Sequence, residues 1–227
     1  MCARFQIPTQ AQAEAYWRLL HSQWGFAPSW RVAPTEQVPV VLYSSGGSAG
    51  WMMRWDLVPY RNHGVPTGKA LINAKAENLE TVHYWKGPWS RGQRCILVMG
   101  GFYEPHRFAD GRKEPFYVRL KDREVFGVAG IWERSARDDG TELHSCALIT
   151  IPPNALLAQI HNDKPRMPAV LREADHEAWL TGSAQQARAV LQPYPEDRMT
   201  AWQVHRRVNS PRSTNDASLI TPVPQDP

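Results

Sequence analysis

The second residue of the chain is a cysteine, and this position gives it a chemistry that an internal cysteine lacks. Removal of Met1 would leave Cys2 with a free α-amine beside its thiol. The reference pKa is about 7.7–8.0 for the amine and about 8.5 for the thiol, so part of the amine is neutral near pH 7. A neutral amine attacks an aldehyde to form an imine, and the sulfur can then close a thiazolidine ring. Cys2 is therefore the first candidate nucleophile.

Composition is typical of a soluble globular protein with a sizeable core. The 227 residues are 42% hydrophobic and 21% charged, and the net charge is +4. The sequence pI is about 9.1, which permits a nucleic-acid partner without requiring one. Ten tryptophans leave room for rings that stack on a ligand as well as rings in the core.

The three cysteines give no disulfide framework and no zinc-ligand spacing, and we expect neither a cofactor nor a metal. Cys95 and Cys146 lie in apolar, strand-like runs typical of buried thiols. The N-terminus has no apolar signal sequence, and no segment approaches the roughly 20 apolar residues of a membrane helix. We therefore expect no membrane partner and a cytoplasmic location, associated with the nucleoid when bound to DNA.

The elements needed to position Cys2 follow from periodicity and turn signals. Apolar spacing predicts a helix from a cap at Thr9 to Ser22, a hairpin of Val38–Tyr43 with Gly50–Trp55, and a loop after Asn73. Strands are predicted at 94–99, 116–120, 125–132, 143–151 and 202–208, and short helices at 154–160, 173–180 and 184–191. This pattern indicates an α+β fold: one domain, 1–223, with a curved, mostly antiparallel barrel-like sheet, peripheral helices and a disordered tail, 224–227.

Seven short motifs, in order along the chain, resemble those of the SOS-response-associated peptidase (SRAP) family. They are Met1-Cys2-Ala3-Arg4-Phe5, Val32-Ala33-Pro34-Thr35, Met53-Arg54-Trp55-Asp56-Leu57-Val58-Pro59, Leu71-Ile72-Asn73-Ala74-Lys75-Ala76-Glu77, Gly100-Gly101-Phe102-Tyr103-Glu104, Ile160-His161 with Arg166-Met167-Pro168-Ala169-Val170-Leu171, and Val208-Asn209. The resemblance implies the SRAP fold and a monomer that binds single-stranded DNA at abasic sites. It implies a thiazolidine crosslink between Cys2 and the deoxyribose aldehyde, which shields the lesion during the DNA damage (SOS) response.

The same resemblance assigns roles to residues that the sequence keeps far apart. Asn73 matches an asparagine near the reacting sugar, Glu104 matches an acid/base carboxylate, and His161 is a second acid/base. Glu77 and Thr150 are expected to support them.

The expected DNA contacts are basic and aromatic side chains. They are phosphate contacts at Arg4, Lys75 and Arg166 and stacking rings at Trp55 and Trp85. Arg31, Asp56, Lys75 and Pro105 depart from the family pattern, so we expect retained chemistry with altered DNA contacts.

Two alternative functions use the same residues. One is a thiol peptidase of N-terminal-nucleophile type, in its mildest form the removal of Met1 by the protein itself, and a lyase activity is a further expectation. The other is a non-covalent module for single-stranded DNA, whose binding falls with salt and leaves no covalent product.

Overall fold

The computed structural model describes residues 2–44 and 46–223, so the predicted tail, 224–227, lies outside the described residues. The strands are β1 (Phe5–Ile7), β2 (His21–Ser22), β3 (Ser29–Val32), β4 (Gln37–Ser44), β5 (Gly47–Trp55), β6 (Asn73–Lys75), β7 (Arg94–Met99), β8 (Gly101–Arg107), β9 (Lys113–Leu120), β10 (Phe126–Ala136), β11 (Glu142–Ile151), β12 (Met167–Pro168), β13 (Val170–Leu171) and β14 (Met199–Gln203). The α-helices are α1 (Gln10–Tyr16), α2 (His83–Ser90), α3 (Ala155–Ile160), α4 (His176–Thr181) and α5 (Ala184–Ala189), and 3₁₀ turns occur at Tyr60–Asn62, Ala76–Asn78, Glu173–Asp175, Glu196–Arg198, Arg206–Asn209 and Ala217–Ile220.

The core is a small closed barrel. Strands β5, β4, β7, β10 and β11 pair in that order, and β11 pairs back to β5 in parallel at Ser145 with Arg54 and Cys146 with Trp55. Every residue of β7 is buried, as expected of a strand enclosed on both faces. Closure also leaves these strands without an unpaired edge. The expected α+β fold with a barrel-like, mostly antiparallel sheet is confirmed.

A second antiparallel sheet brings the N-terminus to the barrel. Its order is β14-β9-β8-β1-β3, with Phe5 of β1 opposite Phe102 of β8 and Val32 of β3. The short strand β6 pairs in parallel with β11, which sets Asn73 opposite Leu148. Cys2, just before β1, therefore lies near both the start of β6 and the middle of β8.

The predicted first helix is too long. Thr9 does cap α1, accepting from the Gln12 backbone N–H, but the helix ends at Tyr16 and not at Ser22. Trp17 turns to an extended conformation and buries its ring, and His21–Ser22 instead pairs with β5. Sheet pairing and burial here override a helical pattern, because local propensity is a weak preference.

Two further expectations for local structure are wrong. Residues 83–90 form helix α2, where a loop was predicted, because Trp85, Pro88 and Trp89 bury at helical spacing against the core. The late strand is β14, five residues that pair with β9, and the chain leaves it before Val208. His205 Nδ1 accepts from the Arg207 backbone N–H and starts a 3₁₀ turn there.

The other predicted elements are present within a few residues of their predicted limits. The hairpin of β4 and β5 forms over eight paired positions. Asn154 and Ser183 cap α3 and α5 by accepting from backbone N–H groups. Within residues 2–44 and 46–223, no helix is long and apolar enough to cross a bilayer.

Candidate active site

Cys2 is held in place by two hydrogen bonds and is fully buried. Asn73 Nδ2 donates to the Cys2 carbonyl oxygen at 2.8 Å, and the Cys2 thiol donates to the Arg4 carbonyl at 3.4 Å. Burial, and after it the carboxylate of Glu104, raises the pKa of the Cys2 thiol well above its usual range. The sulfur is therefore a protonated thiol at neutral pH, which reacts slowly as a nucleophile by itself.

Glu104 is the carboxyl group of the site. It lies on β8 with 1% of its surface exposed, and burial raises its pKa from 4.5 to about 7. Desolvation disfavours the ionised form, which accounts for the direction of this change. A carboxyl group with a pKa near the ambient pH can both give and take a proton, which is what general acid–base catalysis requires.

His161 lies beside Glu104 at the end of α3. Its Nδ1 is 3.4 Å from Glu104 Oε2 and 3.2 Å from the Arg166 carbonyl oxygen. Burial lowers the pKa of His161 below its usual value. The imidazole is therefore neutral at physiological pH, and its contact with Glu104 joins a neutral ring to a carboxyl group, without the full strength of an ion pair.

The fold thus brings the four predicted catalytic residues together from four separate segments. Cys2 precedes β1, Asn73 begins β6, Glu104 lies on β8, and His161 follows α3. A cleft of about 170 Å³ opens beside them and is lined by Arg4, Tyr103, Glu104, Lys113, Asn209 and their neighbours. Among the described residues, no group of three or more His, Cys, Asp or Glu side chains is arranged to hold a metal ion.

Arg166, Glu77 and Thr150 form a connected group behind His161. Arg166 donates from Nη1 and Nη2 to the two carboxylate oxygens of Glu77, at 2.6 and 2.9 Å. Nη2 also donates to the Thr150 carbonyl oxygen on β11. Thr150 is buried, and Glu77 is half-exposed. The guanidinium of Arg166 is occupied by protein groups, an arrangement that does not favour its predicted contact with phosphate.

The other predicted phosphate contacts lie at the surface near Cys2. Lys75 is exposed at the end of β6. Arg4 is partly exposed and donates to Asn209, to the side-chain oxygen at 3.1 Å and the carbonyl at 3.3 Å. Burial and the neighbouring Arg31 cation lower the pKa of Arg4, so these two positive charges are close together. Asn209 was missed as a site residue, although the late Val208-Asn209 motif indicated its position.

The two predicted stacking residues are part of the core. Trp55 is fully buried against Phe5, with ring centroids 4.8 Å apart, and its Nε1 donates to the Ile72 carbonyl at 3.1 Å. Trp85 is 6% exposed and packs from α2 into the same core. Neither ring is accessible to a base in this structure, and the stacking of Trp55 and Trp85 on DNA stays a prediction.

Accessible rings occur instead in a groove between the 3₁₀ turn at 60–62 and α2. This groove, of about 730 Å³, is lined by rings and cations, among them Tyr60, Arg61, His83, Tyr84, Lys86 and Arg91; we call it the Tyr60 groove. Tyr60 is 55% exposed and has the Arg61 and Arg91 guanidinium carbons 6.0 and 5.9 Å from its ring centroid. Alternating rings and cations suit single-stranded nucleic acid.

The departures from the family pattern have structural explanations at two positions. Arg31 donates to the carbonyl oxygens of residues 210, 211 and 213 and so ties the C-terminal segment to β3. Asp56 is buried and accepts from the Leu71 backbone N–H at 2.8 Å and from Arg54 at 3.0 Å. Nothing in the structure explains Pro105, which lies on β8 opposite Pro115.

The fold and the site together define a class of protein: a single-domain barrel with a second sheet that holds a cysteine at position two against Asn73 and the buried side chains of Glu104 and His161. A family model described as SOS response associated peptidase (SRAP) matches residues 1–211, and the chain belongs to this family.

Proteins similar in sequence or in structure are consistent with membership of the SRAP family. The abasic site processing protein YoqW of Bacillus subtilis is 32% identical over 198 residues, 86% of each chain. The abasic site processing protein HMCES of Rattus norvegicus is 25% identical and aligns with 86% of this chain and 65% of its own length. Crystal structures of proteins from Bacteroides thetaiotaomicron and Bordetella bronchiseptica, 24% and 23% identical, share the fold with a TM-score of 0.79 each. They cover 98% and 90% of this chain, and 97% and 100% of their own.

Proposed function

We propose that this protein processes abasic sites in DNA, and that it does so by covalent capture of the lesion in single-stranded DNA. The observation that carries the proposal is the meeting of Cys2, Asn73, Glu104 and His161 in one cluster, in which Cys2, Glu104 and His161 are buried. The names of the YoqW and HMCES relatives support the substrate. One chain supplies all four residues, which supports activity as a monomer.

The reaction begins once Met1 is removed and the Cys2 nitrogen is an amine. The amine attacks the aldehyde carbon of the opened deoxyribose and gives a carbinolamine. Loss of water then forms the imine, and the departing hydroxyl group takes a proton from Glu104, whose pKa of about 7 keeps part of it protonated near neutral pH. The Cys2 sulfur adds to the imine carbon while its proton passes to nitrogen. The product is a thiazolidine, and the whole reaction releases one water.

The environment of Cys2 supports this order of steps over attack by a thiolate. Since burial raises the pKa of the Cys2 thiol, the thiolate needed by a cysteine peptidase is scarce at neutral pH. An amine that reacts first does not need that thiolate. Asn73 supports the geometry, because its amide holds the Cys2 carbonyl and so fixes the residue that carries both reacting atoms.

We propose the Tyr60 groove as part of the path of the DNA strand. Glu133, which lines the groove, lies opposite Ser145 on β11, and Asn73 lies opposite Leu148 on the same strand. These two positions are three residues apart along β11, a distance of about 10 Å. A single strand of a few nucleotides can therefore reach from the groove to Cys2, and Lys75, opposite Thr150, lies beyond Asn73 on the side away from the groove.

The test is the intact mass of the protein after reaction with single-stranded DNA that contains one abasic site. Protein that lacks Met1 should gain the mass of the DNA minus one water, and Cys2→Ala, which keeps the amine but has no sulfur to close the ring, should give no heat-stable adduct. Cys146→Ala is the matched control, because Cys146 is an equally buried thiol whose nitrogen is an amide and cannot form an imine. An adduct that forms equally with Cys2→Ala would disprove the mechanism, and salt-sensitive binding without any adduct would favour the non-covalent module.

The same measurement addresses the peptidase alternative. Chains made with and without methionine aminopeptidase present should both lose Met1 only if the protein removes it itself. Retention of Met1 in the absence of aminopeptidase would leave covalent capture intact and exclude self-processing.

A further inference from the structure

The side chain and the backbone of Arg166 are held by different partners. Its guanidinium is fixed by Glu77 at 2.6 and 2.9 Å and by the Thr150 carbonyl. Its own carbonyl oxygen lies 3.2 Å from His161 Nδ1. Arg166 therefore connects the half-exposed Glu77 with an imidazole in the active site.

We propose that Glu77 and Arg166 are positioning residues that fix the tautomer of His161, with the proton on Nδ1 and the lone pair on Nε2. The proposal deepens the proposed function, since it rests on a proton-handling role for His161. The tautomer itself is a property of the protein without DNA and can be measured separately from any crosslink.

The partner of His161 Nδ1 on the Arg166 side is a backbone carbonyl group. A backbone carbonyl oxygen has lone pairs and no proton, so it can only accept. Nδ1 must therefore be the donor to Arg166, and in a neutral imidazole the remaining nitrogen, Nε2, then carries the lone pair. If the tautomer were reversed, the Nδ1 lone pair would face the lone pairs of the carbonyl at 3.2 Å.

Contact with Glu104 alone would not fix the tautomer of His161. Its Oε2 is 3.4 Å from the same Nδ1, and burial raises its pKa to about 7. Near neutral pH it changes between a carboxylate, which accepts from Nδ1–H, and a carboxylic acid, which could donate to an unprotonated Nδ1. The Arg166 carbonyl does not titrate, so it keeps the proton on Nδ1 in both states of Glu104.

The Nδ1–H tautomer separates the proton-handling roles of Glu104 and His161. With Nδ1 already protonated, neutral Glu104 does not donate its proton to His161 and keeps it for the Cys2 side of the site. His161 takes up protons at Nε2. Glu104 and His161 therefore act as two separate proton carriers, and Arg166 acts on the site through its contact with His161.

The tautomer can be read from the ¹⁵N shifts of histidine-labelled protein in long-range ¹H–¹⁵N spectra. The chain has eight histidines, so the His161 signals are assigned by their loss in His161→Gln. Wild type should show a protonated Nδ1 and an unprotonated Nε2. Glu77→Gln removes the charge that holds Arg166, and it should bring the two nitrogen shifts towards each other as the tautomers mix.

Glu80→Gln is the matched control. It removes a comparable exposed ion pair, Glu80 with Arg188 at 2.9 Å, which lies a few residues away and does not contact His161. Its His161 spectrum should equal that of wild type. An Nε2–H tautomer in wild type, or a Glu77→Gln spectrum identical to that of wild type, would overturn the proposal.

Crosslink formation gives the second readout. Glu77→Gln should form the adduct roughly ten-fold more slowly than Glu80→Gln, as expected when a partner that orients a histidine is lost. An unchanged tautomer in a Glu77→Gln variant that crosslinks at the wild-type rate rejects this inference and leaves the proposed function standing. The expected tautomer without any adduct in wild type rejects the function alone.

Discussion

Replacement of Glu104 by glutamine should stabilise the folded protein at alkaline pH and leave it almost unchanged at acidic pH. Burial raises the pKa of Glu104 from 4.5 to about 7, and one pKa unit corresponds to about 1.4 kcal/mol. Ionisation of the buried carboxyl group therefore lowers the free energy of unfolding by about 3 kcal/mol. Glutamine has the same shape and no charge, so it does not incur this penalty.

The direction in which stability changes with pH follows from the difference in proton binding between the folded and the unfolded chain. Below pH 4.5 Glu104 is protonated in both the folded and the unfolded chain, and its contribution to stability is fully present. Between pH 4.5 and about 7 only the folded chain keeps the proton, so stability is lost as the pH rises. Above about pH 7 the loss is complete. The advantage of Glu104→Gln should therefore develop within this window and stay constant above it.

Urea unfolding of wild type and Glu104→Gln at pH 4.5 and pH 8.5 measures the effect. The difference in free energy of unfolding should grow by about 3 kcal/mol between the two pH values, which is a shift of about 10 °C in melting temperature for a chain of this size. An advantage that does not grow with pH would refute the account of Glu104 as a desolvated carboxyl group.

Glu114→Gln is the control with the opposite sign. Arg206, at 2.6 Å, holds the pKa of Glu114 below its usual value. That ion pair stabilises the fold above the ordinary carboxyl pKa and is lost as the pH falls. Its removal should therefore destabilise the protein at pH 8.5 and have little effect at acidic pH.

Three further predictions concern the reaction and the DNA path. Cys2→Ser should still form an imine that borohydride traps, but it should give no stable ring, because a hydroxyl group adds to an imine less readily than a thiol; a heat-stable adduct without reductant would contradict the role of sulfur. Asn73→Ala should slow adduct formation roughly ten-fold, since the Cys2 carbonyl loses its 2.8 Å donor and the residue is less well positioned; an unchanged single-turnover rate would remove Asn73 from the mechanism. Tyr84→Ala and Lys86→Ala, both in the Tyr60 groove, should each weaken the binding of undamaged single-stranded DNA. The expected loss for Tyr84→Ala is about 1–3 kcal/mol, the contribution of one stacked base. Lys86→Ala should also reduce the salt dependence of binding. Fluorescence anisotropy at several salt concentrations measures both, with the exposed Lys69→Ala, outside the groove, as the control for charge; equal effects of Lys69→Ala and Lys86→Ala would reject the groove as the DNA path.

The elements that were predicted correctly carry their signals in neighbouring residues. The β4–β5 hairpin shows a Ser/Gly loop between two apolar runs, and Asn154 and Ser183 mark the starts of α3 and α5 as capping residues. The elements that were missed depend on distant partners. Trp17 leaves the helical pattern because its ring packs into the core, where it approaches Gly127 of β10, and α2 forms because its tryptophans bury there.

The tryptophans show that burial near the site also could not be predicted from neighbouring residues. A sequence rich in tryptophan predicts stacking surfaces, but it cannot tell a ring on the surface from a ring in the core. Trp55 and Trp85 are core residues, while the rings that line the Tyr60 groove are the exposed Tyr60 and the partly buried Tyr84. Burial is decided by which faces of the barrel are covered, and this depends on contacts between segments far apart in the chain.

The sequence by itself identified the candidate nucleophile, because cysteine at position two would carry both an amine and a thiol once Met1 is removed, and the motifs indicated its expected partners. Only the tertiary structure decided how those partners behave. Closure of the barrel and the pairing of β1 with β8 bury Glu104 beside His161, and this burial raises one pKa and lowers the other. It also pairs the guanidinium of Arg166 with Glu77 and sets the Arg166 carbonyl oxygen beside His161 Nδ1, while phosphate contact by Arg166 stays a prediction. Desolvation and contacts of this kind are properties of the assembled fold, and no single segment contains them.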